Sequence, residues 1–128
     1  MTPTPSILLA EDDRFLRRAS EMKLKQAGFD VRVAANGDEV LALARAAVPD
    51  LLLLDLLMPK RDGLSVLTEL RADPSTHALP VVILSNSSKE LDWQEASTLG
   101  AADYWIKSNL SLQELCDRVS QLLRAAPQ

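Results

Sequence analysis

Five short apolar runs alternate with five longer stretches of helical periodicity along 128 residues, and this alternation constrains the fold more than any other feature. The apolar runs occupy 7–10, 31–34, 51–54, 81–84 and 104–106. Between and after them, 14–27, 37–46, 64–71, 90–99 and 111–124 carry apolar residues at three- and four-residue intervals. The pattern predicts βαβαβαβαβα. Its punctuation agrees: Gly28 follows the first helical stretch, Asn36 and Gly37 open the second, Pro74 follows the third and Gly100 the fourth. Ser111 and Glu114 have the spacing of a capping box at the start of the last helix.

Strands joined by helices run parallel, and a parallel sheet needs cover on both faces. "ILLA", "LLLLD" and "VVILS" are continuously apolar, as buried central strands require, whereas "DVRVA" and "DYWIK" mix polar and apolar positions as edges do. With right-handed crossovers, edges at strands two and five favour the flavodoxin-like order 2-1-3-4-5. The expected fold is therefore a single α/β domain over residues 1–128, with helices on both faces and residues 1–5 as an N-terminal extension.

A formal net charge of −4 argues against nonspecific nucleic-acid binding by this chain, which needs excess Lys and Arg. Arg14, Arg17, Arg18, Lys23 and Lys25 are read as the solvated face of a helix. The lone Cys116 excludes an internal disulfide and sits at helical spacing as a small core hydrophobe. His77, in the polar turn "DPSTHALP", reads as a loop residue. "MTPTPSILLA" has no secretory pattern, and no apolar run approaches the ~20 residues of a membrane span. The expectation is a cytoplasmic protein with no membrane partner.

Within "LLLLDLLMPKRDG", Asp55 is the one carboxylate among the first eight residues, where burial without a partner would cost several kcal/mol. The sheet order explains its position. Ligands of open α/β sheets bind beyond the carboxyl ends of the strands, and those ends supply Glu11, Asp12, Asp13, Asp55, Ser85 and Lys107. Gathered carboxylates repel unless a cation intervenes. Magnesium suits this oxygen-rich, sulfur-free set. Lys107 and the Ser85 hydroxyl can hold phosphoryl oxygens, and Asp55, fixed at the tip of the most apolar strand, is the candidate nucleophile toward a phosphoryl donor. Asp13 is read as a helix cap or a solvated residue.

Taken together, "ILLAEDD", "LLLLDLLMPKRDG", "LPVVILSNSS" and "GAADYWIK" resemble the signature segments of response-regulator receiver domains (CheY-like) of two-component signalling, over essentially the whole chain. The resemblance implies Asp55 as phosphoacceptor, Glu11 and Asp12 as the acidic pair of a Mg2+ site, and Leu57 as a ligand through its backbone carbonyl. It also implies Ser85 as switch hydroxyl, Tyr104 as switch aromatic and Lys107 as the lysine that contacts the phosphoryl group. Leu57 and Ser87 stand where such domains tune phosphoryl lifetime.

Three positions depart from the pattern. Ser108 replaces the usual proline after the lysine, so the following loop is expected to differ in shape. Asn86 stands where a small residue commonly leaves room for the phosphoryl group. Trp105 is expected either to restrict the neighbouring Tyr104 or to anchor a partner.

The implied function is acceptance of a phosphoryl group from a sensor histidine kinase or phosphotransfer protein, switching the surface of helix 4, strand 5 and helix 5. The chain would be no enzyme beyond its own phosphorylation and dephosphorylation. With "RAAPQ" at its end, it reads either as a stand-alone receiver acting on an effector protein or as part of a regulator whose output domain is missing. Two competitors are a degenerate receiver that binds partners without phosphorylation and a Mg2+-dependent phosphatase with an aspartyl nucleophile. "DLL" after Asp55 offers the phosphatase no second acid for its leaving group.

Overall fold

Leu51–Asp55 and Val81–Ser85 form strands in which every residue is buried, the burial that a continuous apolar run requires. They are β3 and β4 of a computed structural model that describes residues 4–86 and 90–125. The other strands are β1 (Ser6–Ala10), β2 (Asp30–Ala34) and β5 (Asp103–Ile106). The helices are α1 (Arg14–Gln26), α2 (Gly37–Ala46), α3 (Gly63–Ala72), α4 (Glu90–Thr98) and α5 (Leu112–Ala125). All ladders are parallel and the order is β2-β1-β3-β4-β5, with the two mixed-polarity strands at the edges, as their composition predicts.

The sheet separates two apolar layers. On one face Val40 and Leu41 of α2, Val66 and Leu70 of α3 and Ala96 of α4 cover Leu52 and Leu54. On the other face Leu24 of α1 and Leu115 and Val119 of α5 cover Leu51 and Leu53. Each leucine so buried contributes roughly 1.5–3 kcal/mol of transfer free energy, which anchors β3 firmly enough to carry a functional side chain at its tip. Cys116 is buried in α5, as its spacing predicts.

Helix starts follow the expected chemistry. Asn36 accepts from the Glu39 amide at 3.0 Å, and the Glu39 carboxylate accepts from the Ala35 amide at 2.8 Å. Ser111 and Glu114 make the predicted reciprocal pair, at 3.1 and 3.4 Å. β3 runs one residue beyond the apolar run: Asp55 pairs with Leu84, and the Leu56 amide donates to the Leu84 carbonyl at 3.0 Å. Asp55 is thus fixed by the ladder itself.

Tyr104 and Trp105 do not crowd each other. Consecutive strand residues point to opposite faces: Tyr104 packs on the α2–α4 layer and Trp105 on the α1–α5 layer. Trp105 is 4% exposed, its indole N–H donates to Asp103 at 2.8 Å, and the Arg118 guanidinium lies 5.6 Å over its ring. Both expectations for Trp105 are therefore corrected: it neither gates Tyr104 nor offers an anchor to a partner.

Candidate functional site

The carboxyl ends of β1, β3, β4 and β5 open onto one cleft of about 560 Å³ lined by Glu11, Asp12, Asp55, Ser85, Lys107 and their neighbours Leu57, Asn86 and Ser108. Sheet order alone brings these residues together. β1 lies beside β3 with Ala10 opposite Leu54, so Glu11 and Asp12 emerge next to Asp55. Ser85 ends β4 with Ile106 opposite, and Lys107 follows Ile106 into a short 3-10 turn, Lys107–Asn109. This turn is the conformation of the segment that contains Ser108.

The cluster has a cationic centre. Lys107 Nζ lies 2.6 Å from Glu11 Oε1 and 3.0 Å from Asp55 Oδ2. Glu11 and Asp55 are 2% and 4% exposed, so two buried acids share one ammonium. Burial, then the hydrogen bond and charge of Glu11, push the Asp55 carboxyl up to about 7, against the opposing pull of Lys107. Burial alone would lower the Lys107 pKa, but its two carboxylate partners outweigh it and the net shift is upward. The other Asp55 oxygen accepts from the Leu57 amide at 3.2 Å.

Glu11, Asp12 and Asp55 each place a carboxylate oxygen within 4.8 Å of the others. Asp12 is exposed while the other two are buried. An all-oxygen set at this spacing, open to solvent at one member, fits a hard divalent cation that retains waters, and magnesium is such an ion. Leu57 lines the same cleft, and its backbone amide reaches the site through its hydrogen bond to Asp55 Oδ1.

Two supports were not legible as site residues. Arg17 belongs to the basic cluster read as a solvated face, and Arg14, Arg18 and Lys25 are exposed as expected. Arg17 instead folds back, its Nη1 donating to the Glu11 carbonyl at 3.0 Å and the Asp12 carbonyl at 3.3 Å. Its i+5 and i+6 separation from those carbonyls was the available signal. Asp13 caps α1 by accepting from the Leu16 amide at 2.9 Å, as expected, and also lines the mouth of the cleft. The second support is Trp93 of α4, whose ring meets that of Tyr104 edge-on, centroids 6.1 Å apart at 78°. Ser85 is buried at the end of β4, whereas Ser87 lies outside the described residues.

The response regulator receiver domain family matches residues 7–120. The transcriptional regulatory protein CpxR of Klebsiella pneumoniae is 43% identical over 118 residues, 92% of this chain and 49% of that protein. The DNA-binding dual master transcriptional regulator RpaA of Synechocystis is 38% identical over 94% of this chain and 49% of its own length. The chain thus spans about half the length of the curated relatives it matches. Among solved structures, the receiver domain of Francisella response regulator 1452 is 33% identical with a TM-score of 0.85, covering 94% of this chain and 98% of that one. The phosphorylated cyanobacterial phytochrome response regulator RcpA is 32% identical with a TM-score of 0.84, covering 98% of each chain. The acidic cleft and its lysine therefore sit on a chain that belongs to the receiver domain family of two-component response regulators.

Proposed function

We propose that Asp55 accepts a phosphoryl group from a phosphohistidine of a sensor kinase or phosphotransfer protein, and that phosphorylation switches the surface formed by α4, β5 and α5. The observation that carries this reading is the meeting of three carboxylates within 4.8 Å of one another, with Lys107 already on two of them.

Glu11, Asp12, Asp55 and the Leu57 carbonyl are assigned to Mg2+. The ion, when bound, neutralises charge among these carboxylates and on the incoming phosphoryl oxygens. Asp55 attacks phosphorus through a carboxylate oxygen as the phosphorus–nitrogen bond breaks, and the imidazole leaves with that electron pair. Lys107 turns from the Asp55 carboxylate to the phosphoryl oxygens, and the Ser85 hydroxyl donates to another of them. Asn86 and Ser108 border the cleft and bear on access and lifetime. Ser85 moving inward frees room for Tyr104, so phosphorylation shifts a population between two arrangements of one surface.

The downstream partner is an effector protein or an output region outside these residues. Relatives twice as long are transcriptional regulators, and the net charge of −4 assigns any DNA contact to such a region rather than to this chain. No helix among the described residues is long and apolar enough to cross a membrane, which supports a cytoplasmic setting. Mapping tests the assignment: after incubation with Mg2+ and a small phosphoryl donor, borohydride reduction should convert residue 55 alone to homoserine. Conversion at another acid would overturn it.

A further inference from the structure

The connection from β3 to α3, residues 56–62, leaves the site at Leu57 and turns back through an unfavourable conformation. The Arg61 amide donates to the Pro59 carbonyl at 2.8 Å, so Pro59, Lys60 and Arg61 close a three-residue turn with Lys60 at φ 68°. Lys60 is the only non-glycine with positive φ among the described residues. A side chain disfavours that region, and such a backbone persists only where its surroundings hold it there.

Arg61 supplies those surroundings. Its Nε donates to Asp38 Oδ1 at 2.8 Å in the first turn of α2, and its Nη1 to Glu69 Oε1 at 2.5 Å on α3. Its stem occupies the space that a side chain at Gly37 would need, with an added Cβ there 2.6 Å from the Arg61 Cβ. At the far end of the loop, the Gly63 amide donates to the Leu56 carbonyl at 2.7 Å. A Cβ on Gly63 would stand 2.6 Å from the Asp55 carbonyl oxygen, so α3 begins directly against the Asp55 backbone. The loop is therefore tied to the site at one end and to two helices through Arg61 at the other.

We propose that Arg61 is a positioning residue for the metal and phosphoacceptor site: bridging α2 and α3, it holds residues 56–62 in the strained form that keeps the Leu57 backbone against Asp55. This rests on the reading of the carboxylate cluster as a Mg2+-dependent phosphoacceptor site. Exposed ion pairs contribute little to global stability, so the leverage of Arg61 is local. Without it, the turn at Lys60 relaxes and Leu57 moves from the position its ligand role requires.

The test is Mg2+ affinity by titration calorimetry on the whole chain, with unfolding temperature measured alongside. Arg61→Ala is expected to weaken Mg2+ binding about tenfold, the scale of lost outer-shell support, with only a small change in unfolding temperature. Adding Lys60→Gly is expected to recover about fivefold, because glycine adopts positive φ without strain. A structural role unconnected with the site would move the unfolding temperature and leave the affinity alone, with no recovery from Lys60→Gly. Should Arg61→Ala not fold, Arg61→Lys, which can reach one carboxylate at a time, is expected to weaken binding about threefold. Wild-type affinity in the folded Arg61 variants overturns the proposal while leaving the phosphoacceptor reading intact. Wild-type protein that binds no Mg2+ overturns both.

Discussion

Lys107 Nζ lies 3.0 Å from Asp55 Oδ2 while also touching Glu11 Oε1 at 2.6 Å, so one partly exposed ammonium holds two buried acids at the tips of neighbouring strands. Such a pair is stable only as a unit, since breaking a buried ion pair leaves an uncompensated charge.

Replacing the cation exposes that dependence. Lys107→Met should lower unfolding free energy by about 2–3 kcal/mol at pH 8 without metal, below the upper range for fully buried pairs because Lys107 retains 16% exposure. The loss should shrink at pH 5, where protonation of Asp55 removes one of the stranded charges. Urea denaturation at the two pH values measures both.

The elevated Asp55 pKa sets a pH dependence of definite sign. With a folded value of about 7 against an ordinary value of 3.8, the folded state binds more protons between those limits. Stability from this group is therefore full below pH 4 and falls as pH rises toward 7, then levels off. Asp55→Asn removes this slope and should be more stable than wild type at pH 8 in metal-free buffer, on the order of 2 kcal/mol. A denaturation series from pH 4 to 8 reads the difference.

Asp12 is exposed, so its removal should cost little stability without metal and much of the response to it. Mg2+ at a hundredfold excess over its Kd should stabilise wild type by about 2.7 kcal/mol. Asp12→Asn should lose most of that gain at the same concentration while unfolding normally in its absence. Thermal shift with and without Mg2+ checks it.

Trp93 meets Tyr104 edge-on at 6.1 Å, which makes it a reporter of the proposed switch. Beryllofluoride with Mg2+ should change tryptophan emission in wild type, and Trp93→Phe or Tyr104→Ala should abolish the change. Trp105 is buried on the opposite layer and should contribute a constant background.

The fold was legible because β3 and β4 are continuously apolar while β2 and β5 are not, a difference that orders the sheet before any contact is known. Order then placed Glu11, Asp12, Asp55, Ser85 and Lys107 at one edge, since each lies at or just beyond a strand end. What escaped depends on side chains reaching between elements. Arg61 reads locally as a charged loop residue, and its role emerges only when α2 and α3 bring Asp38 and Glu69 to it. Trp93 likewise lies eleven residues from the Tyr104 it stacks on, a contact fixed by the packing of α4 on β5. Trp105 was misread for a simpler reason: adjacency in sequence was taken for adjacency in space, although a strand sends neighbours to opposite faces.

The most direct measurement is the intact mass of the protein after incubation with Mg2+ and a small phosphoryl donor, beside Asp55→Asn and a metal-free control. The account predicts a single phosphoryl adduct on wild type that disappears in both controls. An unmodified mass for folded wild-type protein, under conditions that label another receiver domain, would contradict it, as would an adduct that persists in Asp55→Asn.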